Sequence, residues 1–439
     1  MIDVSILRKN PEILFDSQKR RFQSDEIIKE AIRLDSEWRE LLRKSNNLKA
    51  DKNKLVREIG EIIRAGGNSD SIKSKASEID RNIGDYETKL REIESERDLI
   101  LKKIPNIVDP EAPVARDDSG NLPIYFEGKA KVFESDVEGF VAQSMGKMEY
   151  ELSKFKPQSH VDLLVKRNLA NLESAAMVSG SRFYYLLGSL VMLETSLEHF
   201  ALEFMQKKGF TLVEPPFMLS KQATDGATDF TAFEDTLYKI EGEDLYLIAT
   251  SEHPIAAFHY DTILEENQLP LLYAGISPCF RKEAGAHGKD TKGIFRVHQF
   301  NKIEQFAFVK PEDSKSYHQK LLENAKEFYR ALEIPFRIVD IATGDLGNVA
   351  SRKFDIEAWY PAQAQFREVV SASNVVDYQA RRLKVRYRGK DGNAYVHTLN
   401  STLAAMTRTL VAIVENNQLE DGRIVVPKVL RELMGKEVI

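Results

Sequence analysis

The chain has 439 residues, a net charge of −6 and 30% charged residues. That length holds two or three domains with a large core, and the charge balance excludes a protein that grips nucleic acid over its whole surface. The only cysteine is Cys279, which excludes a disulfide framework and, even with His287, a cysteine-based zinc site.

No apolar run reaches the length of a bilayer span. Met1-Ile2-Asp3-Val4 lacks the basic-then-apolar pattern of a signal peptide. A cytoplasmic protein with no membrane contact is expected.

From about Ile27 to Lys103 charge is dense and proline is absent. Apolar residues recur at spacings of four and three: Leu34, Trp38, Leu41, Leu48, Leu55, Ile59 and Ile62, interrupted by Ser45 and Lys52. A second seam runs Ile72, Ala76, Ile79, Ile83, Tyr86, Leu90, Ile93 and Ile100, interrupted by Arg97. The turn signal Ala65 to Asp70 lies between them. Two heptad helices of about 30 residues, each roughly 45 Å long, are expected as an antiparallel coiled-coil hairpin. Arg39, Arg43, Lys44, Lys49, Lys52, Lys54 and Arg57 crowd its first helix. The run is either an ordinary solvated face or a track for a phosphate backbone.

Pro105 ends the hairpin, and 104–123 reads as a linker between a domain at 1–110 and a second at 124–439. In the second domain Leu187 to Lys208 is an amphipathic helix stopped by Gly209. Strands are expected at Thr211–Val213, Leu245–Ile248, Ile276–Glu283, Phe295–Phe308, Phe336–Ile341, Lys353–Trp359, Phe366–Ser373 and Ala394–Leu399, and a last helix at Thr402–Asn416. Short connections favour an α+β fold, an antiparallel sheet flanked by helices. Neither a Gly-x-x-x-x-Gly-Lys-Ser/Thr loop nor a Gly-x-Gly-x-x-Gly turn is present.

The chemistry concentrates in Phe280-Arg281-Lys282-Glu283 and Phe295 to Glu304, two strands joined by a mobile loop, Ala284 to Lys292. Arginines on neighbouring strands can grip a polyphosphate, and an exposed phenylalanine can stack on a purine. The same pattern also suits a hairpin with cross-strand ion pairs. Further polar groups gather at Thr250-Ser251-Glu252, at Asp345 to Gly347, at Asp355-Ile356-Glu357, at Arg367-Glu368 to Asn374, and at Asn400-Ser401-Thr402, read as opening the last helix with Arg408. Asn400 or Ser401 is equally a helix cap, Asp355 and Glu357 are equally members of structural ion pairs, and His298 reads as a structural histidine.

These segments, in this order behind a coiled-coil hairpin, resemble the seryl-tRNA synthetases, of class II of the aminoacyl-tRNA synthetases. Gly209 to Phe217 matches the first class motif, Phe280–Glu283 with Phe295–Phe300 the second, and Asn400–Arg408 running into Asp421 to Pro427 the third. The resemblance covers essentially the whole chain. It implies activation of L-serine by ATP with Mg²⁺, and transfer to serine tRNA and, by the family's usual behaviour, selenocysteine tRNA. It implies a homodimer and no zinc.

By the same resemblance Arg281, Glu368 and Arg408 are the catalytic residues. Arg281 would touch the α-phosphate and serine carboxylate. Glu283 would read the adenine amino group. Phe300 and Arg408 would sandwich the adenine, and Arg296 would hold the triphosphate tail. Lys282 and Val297 belong to the same ATP-binding motif, and Glu368 with Ser371 would ligate Mg²⁺. Thr250, Ser251, Glu252 and Glu304 would surround the serine ammonium, with Thr402 and Asn400 on its hydroxyl. The hairpin would be the tRNA-binding arm. Ser401, Val370 and Ala372 depart from the family pattern beside Thr402 and Ser371.

Overall fold

The computed structural model describes residues 1–283 and 292–439. Residues 284–291 of the expected loop Ala284–Lys292, with His287, lie outside the described residues. The chain divides into two compact units, Met1–Ile107 and Val108–Ile439.

In the first unit α1 spans Glu26–Arg64 and α2 spans Asp70–Lys103. They contain 39 and 34 residues, so they reach about 58 and 51 Å, longer than the 45 Å expected. The seam leaves most of its apolar residues half-buried, because two helices alone cover one stripe of each other. Ser45, Ile83 and Arg97 are buried in it. At its base Asp35, 2% exposed, accepts from Arg8 at 2.7 Å and Arg39 at 3.2 Å. Short helices at the N-terminus add Ile2, Leu7 and Leu14 to a core with Ile28, Ala31 and Leu101.

The second unit is built on an eight-stranded sheet. Its strands are β1 (Leu122–Glu127), β2 (Thr211–Val213), β3 (Leu271–Phe280), β4 (Gln299–Val309), β5 (Phe336–Asp340), β6 (Arg352–Tyr360), β7 (Gln365–Val376) and β8 (His397–Ala405). Their order is β1-β5-β6-β7-β8-β4-β3-β2. Every pairing is antiparallel except that of the short edge strand β2 with β3. The α+β expectation holds, with this one parallel edge making the sheet mixed.

Three helices cover the sheet: α3 (Ser189–Lys207), α4 (Ser314–Ala331) and α5 (Met406–Asn416). α3 buries Leu190, Leu193, Leu197, Ala201 and Met205 along one stripe. Its chain reverses at Gly209, whose φ of +84° suits glycine. α5 is apolar nearly all round and buried accordingly.

Three expectations change. The segment 108–123 is not a free linker: Val108 and Ala112 are buried against Val339, Ile341 and Leu346. Arg281 to Glu283 and Phe295 to His298 lie outside the strands they were expected to continue. The last helix starts at Met406, not Thr402, and Asn400, Ser401 and Thr402 are strand residues in β8 rather than caps. Pairing with β4 and β7 on both sides decides that outcome, overriding the local capping pattern.

Candidate active site

A cavity of 430 Å³ opens on the face of the sheet formed by β4, β7 and β8. Side chains alternate along a strand, so Phe300, Lys302 and Glu304 share one face of β4. On that face Glu304 lies opposite Gly275 of β3 and Thr402 of β8. The register of β4 with β8 slips by one residue at this point, leaving Leu403 over. This bulge brings Thr402 beside Glu304, and its hydroxyl donates to Glu304 Oε2 at 3.2 Å. Lys302 Nζ lies 2.5 Å from the same oxygen, with side chains 7% and 2% exposed.

Across the cavity, Thr250 and Glu252 come from the turn into the short helix Glu252–Ala256. The Thr250 hydroxyl accepts from the Glu252 N–H at 3.1 Å, and Gln379 donates to Glu252 Oε1 at 2.9 Å. Burial, and then the nearby Glu304 charge, push the Glu252 carboxyl up to about 7, against Lys302, the Gln379 bond and Arg281. His253 is buried beside Lys302 and Arg281, and burial followed by those cations lowers it to about 3, so it stays neutral. It is no proton acceptor for a reaction near neutral pH.

Arg281 follows β3. Its N–H donates to the His298 carbonyl at 2.9 Å. Its guanidinium Nε donates to Ala249 O at 3.3 Å, and the guanidinium carbon Cζ lies 5.2 Å from the Phe300 ring centre. His298 Nδ1 lies 2.8 Å from the Arg281 carbonyl and 2.9 Å from the Tyr238 hydroxyl, a structural brace as the sequence indicated. Arg296 donates to Glu283 at 2.9 Å.

Glu368 sits on β7 where a second bulge separates Val370 from Glu368 in the pairing with β6. Its side chain is 47% exposed to the open cleft. Arg408 donates to its carboxylate at 3.3 Å and its carbonyl at 3.1 Å. Desolvation opposes ionisation of Glu368, but Arg408, Lys353 and Arg281 outweigh it and hold the group below the ordinary carboxylate range. Asp355, opposite Ser371 on β6, is raised to about 7 by burial and Glu368, although Lys353 and the Ser371 hydroxyl counter this. Glu357 is an ion-pair partner of Arg337 at 2.6 Å, and Asp345 accepts from Asn121 at 3.0 Å.

The cavity therefore gathers Thr250, Glu252, Arg281, Glu283, Arg296, Glu304, Glu368, Ser371, Asn400 and Thr402, drawn from five separate stretches of sequence. Five expected members are not among the lining residues; one of them, Arg408 on α5, meets the cavity through its bond to Glu368. Ser251 is fully buried and donates to the Gly275 carbonyl at 3.3 Å, away from the cavity. Val297 is core, 2% exposed. The Lys282 N–H donates to Thr236 O at 2.9 Å, and its ammonium lies 5.9 Å from the Tyr238 ring centre. Phe300, expected to be exposed, is 9% exposed with Arg281 above it. The sequence reading missed Lys302, whose strand alternation with Phe300 and Glu304 was the available signal. It also missed His253, Phe233 and the stretch Asn348 to Ala350, which line the same cavity beside Leu346 and Gly347 of the expected Asp345–Gly347 segment.

In the hairpin, Lys49 pairs with Glu87 at 2.8 Å and Lys52 with Asp80, both across the two helices. Lys44 pairs with Glu40 at 2.7 Å and Lys54 with Asp51 at 3.2 Å along the helix. Among the described residues, Arg43 and Arg57 have no ion pair.

Family models match both units: a seryl-tRNA synthetase N-terminal domain over residues 1–108, and a class II tRNA synthetase core domain (G, H, P, S and T) over 234–417. The serine--tRNA ligase of Thermoplasma acidophilum is 52% identical over 439 residues, covering 100% of this chain and 99% of the relative. The chain belongs to the seryl-tRNA synthetase family. The serine--tRNA ligase of Pyrococcus horikoshii is 49% identical over 444 residues, covering 100% of this chain and 98% of the relative. The crystal structure of the Pyrococcus horikoshii seryl-tRNA synthetase complexed with ATP superposes with a TM-score of 0.97, covering 100% of this chain and 99% of that one, at 49% identity. That of the cytoplasmic serine-tRNA ligase of Naegleria fowleri in complex with AMP gives 0.87 at 38% identity, covering 100% and 98%. The seryl-tRNA synthetase likeness thus runs through both units.

Proposed function

We propose that the cavity activates L-serine with ATP and passes it to serine tRNA. The carrying observation is the placement of Glu252 and Glu304 within one cavity with Thr402 on Glu304 and Arg281 nearby. Two carboxylates suit an ammonium, a guanidinium suits a carboxylate and a phosphate, and a hydroxyl suits a hydroxyl. Alanine would leave Thr402 and Asn400 unpartnered, which disfavours it.

In the first step a serine carboxylate oxygen forms a bond to the α-phosphorus and the bond to pyrophosphate breaks. In the second the terminal ribose hydroxyl of tRNA attacks the seryl carbonyl and AMP leaves. Neither step needs a protein nucleophile, so catalysis is positioning and charge stabilisation. Arg281 holds the reacting groups together. Arg296, Glu283 and Phe300 make the nucleotide side, the ring accepting adenine with Arg408 opposite as Arg281 turns to phosphate, while Val297 backs it from the core and Lys282 stands outside the cavity.

The residues fit Mg²⁺ that arrives with ATP. Glu368 is held ionised and shares a strand with Ser371, while no group of three or more His, Cys, Asp or Glu that could hold a metal occurs among the described residues. Glu368 and Ser371 would hold the ion jointly with phosphate oxygens, and the ion would neutralise phosphate charge. No zinc role is proposed.

The hairpin, within a domain of about 1–110, is read as the tRNA arm, with Arg43 and Arg57 as phosphate contacts. Exposed Val191, Met192 and Leu212 on α3 and β2 suit a homodimer face. No described helix is long and apolar enough to cross a membrane; a cytoplasmic site of action and charging of selenocysteine tRNA accord with the family. The test is serine-dependent exchange of pyrophosphate into ATP, followed by charging of serine tRNA. Both are expected. Exchange without charging indicates another acceptor, and the absence of both indicates a binding adaptor.

A further inference from the structure

We propose that Lys302 is a positioning residue for the amino-acid pocket: its ammonium fixes the Glu304 carboxylate through Oε2 and leaves Oε1 to a ligand donor. The inference rests on the reading of this pocket as the serine site.

Lys302 is 6% exposed and Glu304 is 1% exposed. A carboxylate buried that deeply takes up a proton unless a cation or several donors compensate it. Among the described residues, Lys302 is the one ion-pair partner of Glu304, at 2.5 Å. The sheet makes room for this contact with small neighbours. Ser277 and Ala405 flank Lys302, and Gly275 flanks Glu304. The lysine stem runs along the sheet while the ammonium reaches the acid.

Both Lys302 and Thr402 engage Oε2 of Glu304. Among the described residues Oε1 has no hydrogen-bond partner, so it is the atom left for a ligand donor. Lys302 therefore does for the pocket what a ligand contact does not: it sets the direction of the residue that makes the contact.

The ionisable groups facing Glu304 include Glu252 from the short helix, Cys279 on β3 and Lys302 itself. Of these Lys302 alone bonds the carboxylate directly.

The experiment uses the full-length protein with Lys302→Met and Lys302→Arg in serine-dependent pyrophosphate exchange. KM for serine and for ATP are measured separately. K302M is expected to raise the serine KM about tenfold or more, with the ATP KM within about twofold. K302R should recover most of the serine affinity. A wild-type serine KM in K302M would overturn the proposal, as would equal losses for serine and ATP. If K302M does not fold, Lys302→Gln is judged on the same two criteria. A wild-type protein with no serine dependence would instead overturn the pocket reading itself.

Discussion

Arg296 Nη1 donates to Glu283 Oε2 at 2.9 Å, joining the residue read as the holder of the triphosphate tail to the residue read as the reader of adenine. Their side chains are 31% and 10% exposed. The pair ties the two ends of the nucleotide site into one unit. Arg296→Ala leaves Glu283 without that donor and removes the proposed phosphate contact. It should raise the ATP KM about tenfold, with a stability loss of about 1–3 kcal/mol. Serine KM should change little, which separate titrations of the two substrates in the exchange assay would show.

Glu252 gives a pH prediction with a definite sign. Its folded value of about 7 lies above the ordinary 4.5. Between those values the folded state binds more protons than the unfolded one, so this group's contribution to stability falls as pH rises from about 4.5 through 7. Glu252→Gln should remove that slope from denaturant midpoints. An arriving ammonium favours the ionised carboxylate, so serine binding below about pH 7 should release a proton. Calorimetry in two buffers of different ionisation heat measures this directly, and buffer-independent heats would refute it.

Gly275 is set by close approach rather than by backbone freedom. A Cβ there would lie 2.3 Å from Ile255 Cδ1 and 3.0 Å from Ser251 Cβ. Gly275→Ala should push the Thr250–Ile255 segment off the sheet and displace Glu252. The expected outcome is a stability loss of about 1–3 kcal/mol and a raised serine KM. An unchanged melting temperature would show that the segment yields without strain.

The hairpin separates two roles of its basic residues. Lys49 and Lys52 clamp the helices to each other, while Arg43 and Arg57 have no ion pair among the described residues. Deleting about Trp38 to Asp85 should spare pyrophosphate exchange and impair charging. Replacing Arg43 and Arg57 by alanine should reduce the salt dependence of tRNA binding by about two in slope. Unaltered tRNA affinity in the deletion would mark the basic run as solvated surface.

Much of the site was legible because its motifs are contiguous and punctuated. Arg281 to Glu283 and Arg296 to Phe300 flank a Gly/Lys/Asp-rich segment, and the hairpin announces itself by its seams and Ala65–Asp70 turn. What was not legible depended on neighbours. Asn400-Ser401-Thr402 carries capping residues, yet lies between β4 and β7 and is held extended by both. Ser251 sits between two cavity residues, but the turn aims it at Gly275. Phe300 reads as an exposed aromatic until Arg281 is seen to cover it. Lys302 was overlooked because a lysine in a strand usually faces water, and only the closed sheet brings it to Glu304.

The most direct test of the account is a crystal structure with a non-hydrolysable seryl-adenylate analogue. The account predicts the α-ammonium between Glu252 and Glu304, the seryl hydroxyl on Thr402, the phosphate mimic on Arg281, and the adenine on Phe300 under Arg408. An analogue bound with its amino group away from both carboxylates, or bound outside the cavity, would contradict it.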